Sequence, residues 1–469
     1  MNYIIIDQGT SSTKAFLINK NGDVLYNKKI KCIIKRPYPF YVECNPLTIA
    51  KDIKTLFNAM MIFSKNEKII STGIAFQRST FLFWDKKTCV PVTPALSWQD
   101  SRAHEIKKEF INFEKKLWSI TGTPLSPHFG GPKFLFMIRN NKDLRHKIQN
   151  DEVYFGPLSA FITHAITGDA VIDESIASRT LLYDIERGEW SSFALSVFNV
   201  PIKCLPLIVP TKHNFGNLYD TKIPLSLIIG DQQAALIGQV GLKNHAIGIN
   251  YGTSGSIQYN AGTIPKNIPG LISSVLLSSQ KKKYFMIEGT INACNALFYY
   301  LERILSIPHD KMLWNSRIKK IRTRGIYIPG FNGLSAPYWK TGFEDILIDL
   351  NNNQDEIIRA GMESIGLLTN DILERLKLAG IVLPKRLTAS GGSAKSSLLQ
   401  FISDLTAIEI SHFSIKDRTA IGVYKILSNK KWIGSKSNEL NKKFVPMDTK
   451  YADSKKKKWR KSLINKNIR

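Results

Sequence analysis

The chain has 469 residues, with 65 Lys and Arg against 38 Asp and Glu, a formal net charge of +27. Hydrophobic residues make up 43% and charged residues 22%, ordinary globular usage that excludes a disordered, collagen-like or coiled-coil chain. The length implies two or three domains with a sizeable buried core.

No apolar run approaches the roughly 18–20 residues needed to cross a bilayer. The N-terminus has no basic n-region or cleavage site, and five scattered cysteines (Cys32, Cys44, Cys89, Cys204, Cys294) lack metal-site or Cys-x-x-Cys spacing. A cytoplasmic protein without a membrane partner, disulfide framework or zinc site is therefore expected. The excess Lys is spread along the chain and reads as solvated surface rather than a nucleic-acid footprint, although its field favours an anionic substrate such as a nucleotide.

Tyr3-Ile4-Ile5-Ile6 is a short apolar run that predicts a buried strand. Asp7-Gln8-Gly9-Thr10-Ser11-Ser12-Thr13-Lys14 is a tight polar turn, and Ala15-Phe16-Leu17-Ile18 a second strand. Asn21-Gly22-Asp23 turns again before Val24-Leu25-Tyr26. No helix follows the glycine-containing turn, which excludes a dinucleotide-binding fingerprint and a P-loop.

The theme recurs in mid-chain. Leu227-Ile228-Ile229-Gly230-Asp231 predicts a strand ending in Asp, followed by a helix from Gln232. Ile247-Gly248-Ile249-Asn250-Tyr251 predicts a strand entering the turn Gly252-Thr253-Ser254-Gly255-Ser256, then Ile257-Gln258-Tyr259. Two such units suggest a nucleotide held in a cleft between duplicated halves. The boundary is placed near residues 233–245, giving domains over 1–238 and 239–469. Helices are predicted over Ile291–Leu305 and Gln354–Leu378, with a turn at Pro329-Gly330-Phe331-Asn332-Gly333. Gly391-Gly392 opens a helix over Ser396–Leu405, where paired glycines let the backbone approach a ligand.

Phosphoryl transfer needs donors around the phosphates, Mg²⁺, and a carboxylate to take the attacking hydroxyl's proton. Thr10, Ser11, Ser12 and Lys14 supply hydroxyls, amides and a cation on one hairpin turn. Asp7, at a strand end, suits Mg²⁺ through water, and Asp231, at another, suits a general base. Thr253 sits on a second phosphate turn, and Gly391-Gly392 offers a flat surface for the nucleoside. Taken singly, each motif is more often an ordinary hairpin or a helix N-cap.

The combination resembles the FGGY carbohydrate kinases, closest to their glycerol-kinase branch. Asp7-Gln8-Gly9-Thr10-Ser11-Ser12, Phe76-Gln77-Arg78-Ser79-Thr80, Ser97-Trp98-Gln99-Asp100-Ser101-Arg102 and Ala177-Ser178-Arg179-Thr180 are similar to family segments in the same order. So are Gly230-Asp231-Gln232-Gln233, Tyr251-Gly252-Thr253, Gly333-Leu334-Ser335-Ala336-Pro337 and Ser390-Gly391-Gly392. The resemblance implies an α/β fold of two ribonuclease-H-like domains of the actin-like ATPase superfamily, ATP and Mg²⁺ as cofactors, and a homodimer. It places Arg78, Ser79, Trp98, His128, Asp231 and Gln232 at the acceptor, with Asp231 as catalytic base. Thr10, Ser11, Ser12, Lys14, Thr253, Asn295, Gly392 and Ser396 fall to ATP, and Asp7 to the metal.

Three positions depart from the glycerol-kinase pattern. Ser79 stands where that branch has Glu, His128 where it has Tyr, and Ser256 where it has Phe. A serine cannot replace both charge-assisted bonds of a carboxylate, so a longer polyol or a ketose is expected as acceptor, with glycerol the alternative. On the nucleotide side Asn295 and Tyr299 depart too, which leaves nucleotide preference open. Arg179 reads as a structural loop tie. The rivals are a nucleotide-gated ATPase or binding protein of the same superfamily, which would lack the acceptor segments, and a basic nucleic-acid-binding protein, for which no module appears. The basic tail around Lys455-Lys456-Lys457-Lys458-Trp459 reads as a closing helix with lysines on its wet face.

Overall fold

The computed structural model describes residues 1–65, 67–292, 294–312, 314–319, 321–350, 353–414, 416–429 and 440–468. Two mixed sheets organise it. The first is formed by β1 (Asn2–Gln8), β2 (Ser12–Asn19), β3 (Val24–Lys31), β4 (Ile69–Phe76) and β5 (Leu225–Gly230), with α1 (Pro46–Phe63) between β3 and β4 and α2 (Asp231–Val240) following β5. β1, β2 and β3 form an antiparallel meander, and β4 and β5 add parallel beyond β1.

The second sheet uses β6 (Ile247–Tyr251), β7 (Gly255–Gly262), β8 (Ile272–Ser278) and β9 (Lys283–Ile291). Then come α3 (Asn295–Ile304), α4 (Gln354–Leu378), β10 (Arg386–Ser390), α5 (Ser396–Thr406), β11 (Glu409–Phe413), α6 (Arg418–Ser428), β12 (Leu440–Phe444) and α7 (Thr449–Asn465). Its spatial order is β8-β9-β7-β6-β10-β11-β12. β6, β7 and β9 repeat the meander, and β10 and β11 repeat the two added parallel strands. The duplication expected from the two polar turns is therefore present strand for strand, with β8 and β12 as additions. Among the described residues no helix is long and apolar enough to cross a membrane.

β1 shows why its apolar run lacks the alternation of a half-wet strand: both of its faces are covered. Ile4 and Ile6 pack with Ile49, Ile53 and Leu56 of α1, while Tyr3 and Ile5 pack with Ala420, Val423 and Tyr424 of α6. α1 starts where Asn45 accepts from the Leu47 and Thr48 amides and Pro46 takes the first helical position. α6 comes from the far end of the chain, so the second half helps close the first sheet. α2 and α6 cross closely enough that a Cβ on Gly238 would lie 2.0 Å from the Arg418 carbonyl oxygen, and one on Gly422 1.9 Å from that of Ala234.

Two expectations need correction. β9 runs as far as Ile291, so the predicted helix over Ile291–Leu305 begins only at Asn295, where the chain has left the sheet. α7 packs as expected, with Trp459 fully buried, but Lys455 is not on its wet face. It is 3% exposed and pairs with the buried Glu363 at 2.9 Å.

Candidate active site

The site gathers at the carboxyl ends of neighbouring parallel strands, where open α/β sheets bind ligands. Asp7 is level with Ala75 of β4, and Ala75 with Ile229 of β5. Asp7 and Asp231 therefore stand about two strand spacings apart, roughly 10 Å. Asp231 is the first residue of α2 and does not cap it: the cap position is Gly230, with no side-chain cap bond. Its Oδ1 accepts from the Gln232 amide at 2.7 Å, and its side chain remains 22% exposed. Burial raises its carboxyl above the ordinary range, Arg78 opposes that rise, and Glu288 adds to it.

Burial, followed by the charge of Asp231, pushes Asp7 up to about 7 against the pull of Lys14. Asp7, only partly buried at the end of β1, is a carboxylate whose raised state a nearby cation would relieve. Among the described residues no three His, Cys, Asp or Glu side chains converge as a closed metal site. A single carboxylate such as Asp7 suits Mg²⁺, which keeps waters and binds through one or two carboxylates and the substrate's phosphates.

On the first phosphate turn, Thr10 and the exposed Ser11 lie between β1 and β2, and the Gly9 amide donates to the Ser12 carbonyl at 3.0 Å. Ser12 itself is buried, 8% exposed. Lys14 does not point freely into the cleft: its Nζ lies 2.6 Å from Oδ1 of Asp417, just before α6. The second turn exposes Thr253, and its Gly252 and Thr253 carbonyls accept from the amides of Cys294, Asn295 and Ala296. Asn295 thus begins α3 with its backbone tied to the phosphate turn. Gly391 closes the same surface. At φ +107°, a Cβ there would sit 2.2 Å from the Tyr251 carbonyl oxygen, and Ser393 Oγ donates to the Gly252 carbonyl at 2.9 Å. Gly392 and Ser396 are exposed beside it, with open space at the Gly392 Cβ position. Tyr299 is 53% exposed and packs against His309.

On the acceptor side, Trp98 is 40% exposed and donates through Nε1 to Thr10 Oγ1 at 2.8 Å, joining the acceptor loop to the phosphate turn. Trp84 is a core residue, fully buried and donating to His164 Nδ1. His128 Nδ1 lies 3.0 Å from the Trp98 carbonyl. A carbonyl only accepts, so Nδ1 carries the proton and Nε2 is left as an acceptor. Burial, then the nearby Lys133, pushes this imidazole down to about 4, so it is neutral at working pH. Gln232 Oε1 accepts from Gln258 at 3.4 Å. Lys133, fully buried on the helix Gly130–Arg139, donates to the Ser79, Leu96 and Ser97 carbonyls at 3.0, 3.4 and 2.6 Å.

Ser79 departs from the expectation of an acceptor contact. It is 5% exposed and its hydroxyl donates to the Arg179 carbonyl at 3.1 Å, because the tight bend at φ +59° turns it inward. Ser256 likewise donates to Glu288 at 3.0 Å. Glu288, Asp417 and Lys133 are the polar residues that sequence reasoning missed. A carboxylate directly after the apolar run Phe285-Met286-Ile287 was the one local signal for Glu288. Arg179 is also more than a loop tie, since its Nη2 lies 3.6 Å from Glu288 Oε2.

Comparison with known proteins follows the same outline. Residues 2–238 match the N-terminal domain and residues 247–427 the C-terminal domain of the FGGY family of carbohydrate kinases. A glycerol kinase of Caldanaerobacter subterraneus subsp. tengcongensis is 31% identical over 437 residues, covering 89% of this chain and 87% of the relative. One from Bacillus subtilis is 30% identical over 438 residues, covering 90% and 88%. The ADP-bound glycerol kinase of Plasmodium falciparum superposes with a TM-score of 0.90 at 26% identity, covering 100% and 99%. A ligand-bound xylulose kinase of Lactobacillus acidophilus shares the fold, with a TM-score of 0.85 at 18% identity over 99% and 98% of the two chains.

Proposed function

The chain belongs to the FGGY family of carbohydrate kinases and is an ATP-dependent phosphotransferase acting on an alcohol group, and on that premise we propose how its cleft divides the work. Asp231 takes the proton of a primary hydroxyl on a small polyol or sugar as the γ-phosphoryl group arrives from the opposite side. The observation that carries this reading is the state of Asp231: partly exposed, uncapped, and raised by burial while Arg78 sits 3.6 Å away. A base needs a pKa lifted toward working pH and an open lone pair, and this carboxylate has both.

Thr10, Ser11, Thr253 and the amides of the two turns steady the phosphates, with Lys14 joining them when it leaves Asp417. Asn295, Gly392 and Ser396 border the nucleoside. Asp7 would hold Mg²⁺, which would offset charge on the transferring phosphates. Trp98, the Nε2 face of His128, Gln232 and the Arg78 guanidinium orient the acceptor. Closure of the cleft around both substrates excludes water, which otherwise competes as acceptor. The protein acts in the cytoplasm, and the domains divide as 1–238 and 239–469.

The acceptor we propose is larger or more polar than glycerol. The side chains at 79 and 256 are small and turned to protein partners, leaving no carboxylate at Ser79 to grip a vicinal diol. ATP consumption against glycerol, longer polyols, ketoses and aldonates tests this, and glycerol ranking first by kcat/KM overturns it. Asp231→Asn is expected to keep ATP binding and lose several orders of magnitude in turnover; retained turnover refutes the base.

A further inference from the structure

The floor of the cleft carries more buried charge than holding an acceptor requires. Arg78 gives both terminal nitrogens to Glu288, Nη1 to Oε2 at 3.1 Å and Nη2 to Oε1 at 3.3 Å, and Nη1 also reaches Gln233 Oε1 at 3.4 Å. Only its Nε is left for Asp231, at 3.6 Å from Oδ1. A forked guanidinium held this way is fixed in plane, so the position of Glu288 decides where that Nε points.

Glu288 comes from β9 and is 1% exposed. Besides Arg78 it accepts from Ser256 at 3.0 Å and Gln258 at 3.3 Å. Burial opposes its ionisation, yet Arg78 and Arg179 together hold it down to about 2. Arg179 stands behind it, 6% exposed, with Nη2 3.6 Å from Glu288 and the guanidinium 5.5 Å from the Phe129 ring centroid. Its Nε and Nη1 have no hydrogen-bond partner. A loop tie does not account for this. The tie to Ser79 uses the Arg179 backbone carbonyl, which any residue would supply. A desolvated guanidinium with two idle donors is costly, and an apolar side chain of that size would serve packing better.

We propose that Arg179 and Glu288 are positioning residues for phosphoryl transfer, acting through Arg78 as a chain of alternating charge, Arg179–Glu288–Arg78–Asp231, that aims and tunes the base. This rests on the reading of Asp231 as base. The charged groups around Asp231 are Arg78 after β4, Glu288 on β9, Arg179 from the segment before Leu181, and Asp7 on β1. Glu288 raises the Asp231 carboxyl, and the Arg179 charge favours its ionised form. Removing the two charges must therefore displace the base in opposite directions, which loss of packing alone does not do.

The experiment measures the acidic limb of kcat/KM against pH in the full-length protein. The acceptor is whichever of glycerol, D-xylulose and D-gluconate the wild type uses best. Arg179→Gln is expected to move the limb up and Glu288→Gln to move it down, each by about half a unit to one unit, where one unit is tenfold in ionised base. Arg179→Lys is expected to return most of the shift, and KM for ATP to stay within about twofold throughout. Limbs that stay at the wild-type pH, or that move the same way in both variants, overturn the proposal. Should Glu288→Gln fail to fold by near-ultraviolet circular dichroism, the Arg179→Gln and Arg179→Lys pair decides alone: an unmoved limb overturns the chain. Turnover retained in Asp231→Asn overturns the base reading instead, so the two failures are told apart.

Discussion

Lys14 Nζ lies 2.6 Å from Oδ1 of Asp417, a pair that joins β2 to the residue before α6 across 403 positions of sequence, so Lys14 belongs to the strand and not to the turn expected over Asp7–Lys14. Both side chains are about one-third exposed. Such pairs contribute only about 0–1 kcal/mol to stability, so its importance lies in what it withholds. Asp417 holds the cation that the proposed phosphate site would use. Asp417→Asn is expected to lower KM for ATP by freeing Lys14, and Lys14→Met to raise it about tenfold or more, a charge-assisted bond being worth about 1.5–3 kcal/mol. Neither change should shift the melting temperature by more than a few degrees. Unaltered KM for ATP in Lys14→Met would remove this lysine from the phosphate site.

Lys133 supplies the second prediction. Its ammonium is fully buried and joins three carbonyls, those of Ser79, Leu96 and Ser97, next to Arg78 and Trp98. Lys133→Met keeps the volume but leaves buried acceptors unmade, at about 1–3 kcal/mol for each one that water cannot reach. The two acceptor loops should then lose their register with each other. Steady-state kinetics should show KM for the acceptor rising by at least about tenfold while KM for ATP changes little. A variant that melts lower but binds the acceptor normally would make Lys133 a stability residue only.

How much of this was legible in the sequence depends on range. The β1 run, the Gly9–Thr10 turn and the helix Gln354–Leu378 are each written in a few adjacent residues, and the structure has them where local pattern puts them, whereas Asp231, expected to end a strand, opens α2 instead. The ion pairs around the site are not local. Arg78 meets Glu288 across 210 positions, and Lys14 meets Asp417 across 403. Nothing in the neighbourhood of Asp417 marks it as a partner. Ser79 was placed at the acceptor by the resemblance alone; at φ +59° its hydroxyl donates to the Arg179 carbonyl, a partner 100 positions away that its own segment does not announce.

Asp7 makes a prediction about pH. Its folded-state carboxyl is pushed up to about 7 from an ordinary 3.8 by burial, then by Asp231. Between those values the folded protein holds a proton that the unfolded chain releases. Stability therefore falls as pH rises through this window, and the whole deficit is present above about 7. Asp7→Asn removes the deficit. The nucleotide-free variant should melt several degrees above wild type at pH 8 and equal to it near pH 4, while turnover collapses for want of the metal-organising carboxylate. Equal melting temperatures at both pH values would show that Asp7 is not strained by its neighbours.

The closing helix α7 supplies the last prediction. Trp459 is fully buried and donates through Nε1 to Asp371 Oδ2 at 2.7 Å, and Lys455 neutralises Glu363, itself 0% exposed. Cutting after Ala452 removes both partners and leaves two carboxylates in the core. Breaking a buried pair costs about 3–5 kcal/mol and losing a buried Trp about the same, together a large share of the 5–15 kcal/mol that holds a typical domain. The truncated chain should accumulate as insoluble protein. Lys455→Met keeps the helix and leaves Glu363 with Arg359 and the Tyr451 hydroxyl, so it should fold but melt well below wild type. Heparin binding compared between wild type and Lys457→Gln separates packing from a basic-arm role, because Lys457 makes no place for itself in the core. A truncated chain that melts like wild type, yet no longer binds heparin, would mean that the lysines serve a polyanion rather than the fold.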